Sequence, residues 1–159
     1  MKITIAAVGK LKEKYLKDAI AEYKKRLSRF TDIELIEVDD EHAPDNLSPA
    51  QEQQVKQKEA ERLLKRVKEG SYIVLLDVSG DQIDSEGFSK KLDSIMLSGG
   101  SHITFIIGGS LGLDESLIKA ASYRISLSKM TFPHQLARVI LLEQVYRAFK
   151  IMRNETYHK

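Results

Sequence analysis

Three stretches of the chain hold residue types that could do chemistry. The first is Gly108-Gly109-Ser110-Leu111-Gly112. It satisfies G-x-S-x-G, the spacing that lifts a nucleophilic serine onto a sharp turn between a strand and a helix. A serine hydrolase would also need an acid and a histidine further on. Only Asp114, Glu115, Glu143 and Glu155 follow, with His134 and His158. Asp114 lies too close to the serine to serve a histidine from another strand end. A glycine cluster at a strand end is better read as a tight turn where backbone approaches a ligand. It is neither a dinucleotide fingerprint nor a Walker loop, because no Gly-Lys-Ser/Thr follows. The second stretch, Leu127 to His134, mixes hydroxyls, backbone amides and an aromatic ring. That mixture suits a nucleoside, which takes hydrogen bonds at its edges and apolar contacts on its faces. The third is the end, Asn154-Glu155-Thr156-Tyr157-His158-Lys159. It places a stacking ring, an imidazole and a cation in succession.

Charge is distributed unevenly around these stretches. Lys10 to Arg29 holds eight basic and three acidic residues, and Asp32 to Asp45 holds seven acids with no Lys or Arg. Arg147, Lys150, Arg153 and Lys159 face Glu155 alone in the last segment. If folding brings the two basic segments together, they make a phosphate-tracking surface whose grip weakens with salt.

The elements that must position these groups alternate. Lys2–Val8 reads as a strand, and Leu16, Ile20, Tyr23 and Leu27 recur at helical spacing. Ile33–Val38 is a second strand, and residues 42–48 form a loop. Ser48, Pro49 and Gln51 compose an N-cap, a first-turn proline and a capping box. That helix stops before Gly70. Tyr72–Asp77 and Ile103–Ile107 are continuous apolar runs, as expected of parallel strands covered on both faces. Helices are expected over Phe88–Leu97, Asp114–Ser122 and Pro133–Met152, with a last strand at Tyr123–Leu127. Strands alternating with helices imply one three-layer α/β domain over residues 1–159 with a mainly parallel sheet. In such sheets ligands bind beyond the carboxyl ends of the strands. The loops after Leu76, Ile107 and Leu127 are therefore the candidate site. The last helix is apolar on more than one face, which predicts burial against the sheet and against a second copy in a homodimer.

Composition limits the alternatives. The 159 residues are 42% hydrophobic and 30% charged, with a net charge of +2 and no cysteine. Thiolate metal sites, disulfide scaffolds and cysteine nucleophiles are excluded. No run reaches the ~18 apolar residues of a membrane span, and a cytoplasmic protein without membrane or metal is expected.

The opening ITIAAVGKLKEKYLKDAIAEYKKRL, the blocks FIIGGSLGL and SLSKMTFPHQLARVILLEQVYRA, and the closing YHK together resemble the RlmH family of SPOUT-class RNA methyltransferases. The resemblance spans essentially the whole chain. It differs at the last residue, where Tyr157-His158-Lys159 replaces a frequent Tyr-His-Arg; lysine keeps the charge and loses the bidentate fork. The resemblance implies a C-terminal trefoil knot over roughly residues 72–159, a rare exception to unknotted folding. It implies S-adenosylmethionine held by Leu76, Gly108 and Leu127-Ser128-Lys129-Met130-Thr131-Phe132, leaving as S-adenosylhomocysteine. It implies a homodimer that methylates N3 of a pseudouridine in large-subunit ribosomal RNA on assembled ribosomes. Removing the imide proton calls for a base, His134 or His158, with Arg138 or Lys159 stabilising charge or gripping phosphate. Tyr157 is placed to stack on the base, and Arg153 and Lys159 to bind RNA. The alternatives are a non-catalytic ribosome-binding factor and, less well supported, a serine esterase using Ser110.

Overall fold

Period-two burial organises the sheet of this computed structural model, which describes residues 1–42 and 44–159. Ala43, in the loop expected over 42–48, lies outside the described residues. In strand β1 (Lys2–Val8), Ile3, Ile5 and Ala7 point to one face, and Ala6 and Val8 to the other. Both sets are buried, so helices cover both sides. The elements follow as helix α1 (Lys14–Leu27), β2 (Asp32–Val38), α2 (Pro49–Arg66), β3 (Tyr72–Gln82) and α3 (Ser85–Leu97). Then come β4 (His102–Ile107), α4 (Glu115–Ala120), β5 (Tyr123–Ser126) and α5 (His134–Met152). The five strands are all parallel, in the order β2-β1-β4-β3-β5. Helices α1, α3 and α5 pack on one face around Ile5, Phe105, Leu141 and Val145, while α2 and α4 pack on the other around Ala6, Leu75 and Ile106. The three-layer parallel architecture is the expected one.

Two details depart from expectation. Strand β3 continues past Asp77 to Gln82, but its pairing with β5 slips between Leu76 and Asp81. The residues between them bulge out of the ladder at the site described below. The two-sided apolar composition of α5 is used in part inside the protomer, with eight of its residues buried and Val139, Ile140, Ile151 and Met152 left half-buried. Its inner face meets the sheet, and α1 and α3 flank it through Ile20, Leu27, Leu92 and Ile95. Leu136, at 39% exposure, is the large apolar side chain of α5 that remains exposed.

The start of α2 is built as its residues predict. Ser48 Oγ accepts from the Gln51 N–H at 3.2 Å, and Gln51 Oε1 accepts from the Ser48 N–H at 2.9 Å. Ser48→Ala should lower stability by about 1 kcal/mol, read as a lower urea midpoint at unchanged slope.

Candidate functional site

The bulged segment of β3 and the loops at the carboxyl ends of β4 and β5 line a cavity of about 480 Å³. After β4, Ile107 leads into Gly108 and a turn closed by the Gly112 N–H donating to the Gly109 carbonyl at 3.2 Å. Gly112 has φ +103°, which a side chain would strain. At Gly108 a Cβ would lie 2.6 Å from Leu113 Cδ2, so any side chain there would displace Leu113 from this wall of the cavity. On β3 the slipped segment begins at Leu76. Asp77 accepts from the Ser79 N–H at 2.9 Å and from Arg124 Nη1 at 3.1 Å, tying the bulge to β5. Gly80 permits this approach, because a Cβ there would sit 2.8 Å from the Arg124 backbone. After β5, Ser126 Oγ donates to the Ser128 carbonyl at 3.0 Å, and Ser128 Oγ accepts from the Met130 N–H at 3.0 Å. These bonds fold the loop back over the cavity before α5 begins.

The expected cofactor residues Leu76, Gly108, Leu127, Ser128, Met130, Thr131 and Phe132 line this one cavity. Lys129 is exposed and forms no part of its wall. Asp77, Arg124 and Ser126 also line it and were not anticipated. Their signal in the sequence was weak, since Asp77 closes an apolar strand run and Arg124 sits in a short β segment. The walls are mostly apolar, with backbone and hydroxyl groups at the edges, and the volume suits a nucleoside-sized ligand.

His134 opens α5 at the rim. Burial, and then the neighbouring Arg138, push its imidazole below the ordinary value, so it is uncharged at neutral pH. Arg138, one turn on, is 0% exposed. Its Nη2 donates to the Val8 and Gly9 carbonyls at 2.7 and 2.8 Å, and Nη1 to Glu37 at 2.9 Å. The expected phosphate grip is not open to a guanidinium that reaches no solvent. Arg138 instead pins the β1–α1 turn to the start of α5.

The tail lies elsewhere on the protomer. The Tyr157 ring meets Tyr146 edge-on at 5.0 Å, its hydroxyl donates to Glu143 at 3.2 Å, and the Arg147 guanidinium lies 4.7 Å from its centroid. His158 Nδ1 is 3.2 Å from Arg147. None of these partners lines the cavity, so Tyr157 and His158 do not join His134 within one chain. The exposed Arg153 lies over Phe30 at 4.9 Å, and Arg29 lies over the same ring at 4.4 Å. Arg29 also pairs with Glu155. Folding thus brings the end of the basic α1 segment and the basic tail to one face. Lys159 is exposed at the terminus.

The hydrolase reading has no geometry here. Asp114 caps α4, accepting from the Ser116 N–H at 3.0 Å and from Gln53 Nε2 at 2.6 Å. These bonds leave it engaged away from either histidine, and they hold its carboxyl below the usual range, the Ser116 hydroxyl foremost.

Residues 1–158 match the family described as predicted SPOUT methyltransferase. The chain is 79% identical to ribosomal RNA large subunit methyltransferase H of Ruminiclostridium cellulolyticum, over all of both chains. The chain belongs to the RlmH family of SPOUT methyltransferases. Other RlmH relatives carrying the same description include those of Acetivibrio thermocellus, at 62% identity, and Clostridium perfringens strain ATCC 13124, at 56%, each over the full length of both chains. Among solved structures, a probable methylase family protein from Haemophilus influenzae Rd KW20 shares the fold, with a TM-score of 0.50 and 12% identity over 99% of this chain and 70% of that one. Among the described residues, no helix is long and apolar enough to cross a membrane, and no cluster of His, Cys, Asp or Glu is arranged to hold a metal ion.

Proposed function

We propose that this protein transfers a methyl group from S-adenosylmethionine to N3 of a pseudouridine in large-subunit ribosomal RNA, on ribosomes in the cytoplasm. The observation that carries this reading is the convergence of the residues expected from the resemblance, Lys129 excepted, on one apolar, backbone-edged cavity. S-adenosylmethionine, when bound there, supplies a methyl group on a positively charged sulfur. Leu76, Gly108 and the 127–132 loop would hold its nucleoside part by backbone edges and apolar faces. The protein's main task is alignment, because an in-line displacement needs its donor carbon and acceptor nitrogen held at contact distance. His134, uncharged at the rim, can take the imide proton as the nitrogen attacks. Arg138, bonded to the Val8 and Gly9 carbonyls and to Glu37, fixes the start of α5 on which His134 stands rather than touching the reacting atoms.

The implied trefoil knot belongs to this reading. The implied homodimer belongs to it as well. Tyr157, His158 and Lys159 are remote from their own cavity, and in a dimer they would complete the partner's. Mixing subunits disabled separately at His134 and at the 157–159 tail should restore part of the activity, measured as methyl incorporation into ribosomes. No restoration would count against a shared site.

Mass mapping of methyl groups on ribosomal RNA from cells with and without this protein tests the main claim. One N3-methylpseudouridine should vanish with the protein. A binding factor without catalysis would leave the map unchanged, and calorimetry with S-adenosylmethionine would then show no saturable heat.

A further inference from the structure

The cofactor cavity has a neighbour across the glycine turn. This second cavity holds about 320 Å³, and Gly109, Ser110 and His134 belong to the walls of both. Its inner wall carries Glu59 of α2, a carboxylate only 5% exposed. Glu59 is one of four buried residues on that helix and the one that is charged. Its Oε2 accepts from the Glu41 N–H at 3.2 Å. Its Oε1 lies against Gly109, where a Cβ would come within 2.7 Å, and accepts no hydrogen bond among the described residues. Arg62, whose charge acts on Glu59, is committed to the Glu41 carboxylate and to the Asp39 carbonyl. Oε1 is not sealed off, since the buried side-chain polar atom left without a partner among the described residues is Arg138 Nε. Oε1 faces the cavity, where a donor carried by a ligand can reach it.

Pseudouridine and uridine differ in donors. Pseudouridine is joined to its ribose through carbon, so its ring keeps two N–H groups, N1 and N3, on either side of one carbonyl. Uridine presents a C–H where pseudouridine presents N1–H. We propose that the second cavity seats the acceptor ring, and that Glu59 Oε1 accepts a hydrogen bond from N1–H and thereby selects pseudouridine over uridine. The inference rests on the proposed methyl transfer, and it assigns the two ring nitrogens to different walls. N1 faces Glu59, and N3 faces the junction where His134 stands between the two cavities. The missing side chain at Gly109 is what lets Glu59 come this close.

Glu59→Gln is the informative change. The amide oxygen can keep the Glu41 N–H, which leaves its NH2 where Oε1 was, and a donor then faces the donor on N1. The first measurement uses neither ribosome nor cofactor. Ligand-observed NMR compares pseudouridine 5′-monophosphate with uridine 5′-monophosphate on the wild-type chain and on Glu59→Gln. The wild type should broaden the pseudouridine signals selectively, and the variant should not. The second measurement is kcat/KM on ribosomes carrying pseudouridine or uridine at the target. Its ratio should fall about 10- to 100-fold in Glu59→Gln, the usual worth of a charged hydrogen bond. S-adenosylmethionine affinity should be unchanged.

If Glu59→Gln does not fold, acidifying the wild type answers the same question, because a protonated Oε1 becomes a donor and the nucleotide preference should disappear. Burial raises the Glu59 carboxyl above its ordinary value, against the Glu41 N–H hydrogen bond and Arg62 and with the charges of Asp40 and Glu41, so the loss begins at a higher pH than an exposed glutamate would set. His42, Lys10, Lys12 and His134 also face this cavity. Equal binding of the two nucleotides to the wild type, or an unchanged preference after Glu59→Gln, overturns the inference. A wild type that methylates neither ribosome overturns the proposed reaction instead, and the nucleotide comparison still decides the role of Glu59.

Discussion

Arg138→Leu should destabilise the fold by about 3 kcal/mol, because it removes the cation and leaves its partners behind. The Val8 and Gly9 carbonyls lose two donors inside the protein, and Glu37 loses its pair. Glu37 keeps a third of its side chain in water, so its share is smaller than a fully buried carboxylate's. Chemical denaturation followed by far-UV circular dichroism gives the number. Lysine should recover little of it, since one ammonium cannot reach two carbonyls and a carboxylate in the geometry of a fork. Loss of methyl transfer with full stability would contradict this account and return Arg138 to the reacting atoms.

His134→Ala should lower kcat by about 100-fold while the protein stays folded and still binds S-adenosylmethionine. The contrast with His158→Ala locates the base. His134 stands at the rim of its own cavity, whereas His158 can act only across a dimer. If both variants turn over normally, neither histidine takes the proton. The pH dependence follows from the direction of the shift. The folded protein holds His134 below the ordinary value of about 6.5, so its neutral form survives further into acid. Wild-type kcat should therefore hold from neutral pH to below that value before it falls. The stability contribution has the same sense. The unfolded chain binds the proton more readily, so this contribution is complete above the ordinary value and is lost as pH falls toward the folded one.

Much of this was legible beforehand, for reasons that differ by element. Strand β1 and the capping box at Ser48 announce themselves because their signals are local. Glycines at 108, 109 and 112 mark the turn that forms the cavity wall for the same reason. The end of β3 was not legible, since Asp77-Val78-Ser79-Gly80-Asp81 reads as a loop, and the strand resumes its pairing with β5 only at Asp81 and Gln82, opposite Ile125 and Ser126. Arg138 misled because a cation beside a candidate base looks like chemistry, and its acceptors lie in β1 and β2, about a hundred residues away or more. Glu59 was overlooked inside a polar run, QEQQVKQKEAER, whose buried stripe shows only once α2 is laid on the sheet. Each miss depends on partners distant along the chain.

The docked position of the last three residues has an energetic consequence for any task they perform on another molecule. Tyr157 is held by Tyr146, Arg147 and Glu143 of its own helix, so this helix competes with every outside target for the same ring. Only the undocked fraction is available, and apparent affinity for a partner scales with that fraction. Loosening the home contact at Tyr146 should strengthen the away contact by the same factor, which makes the middle of α5 a dial on tail reach although it touches no substrate.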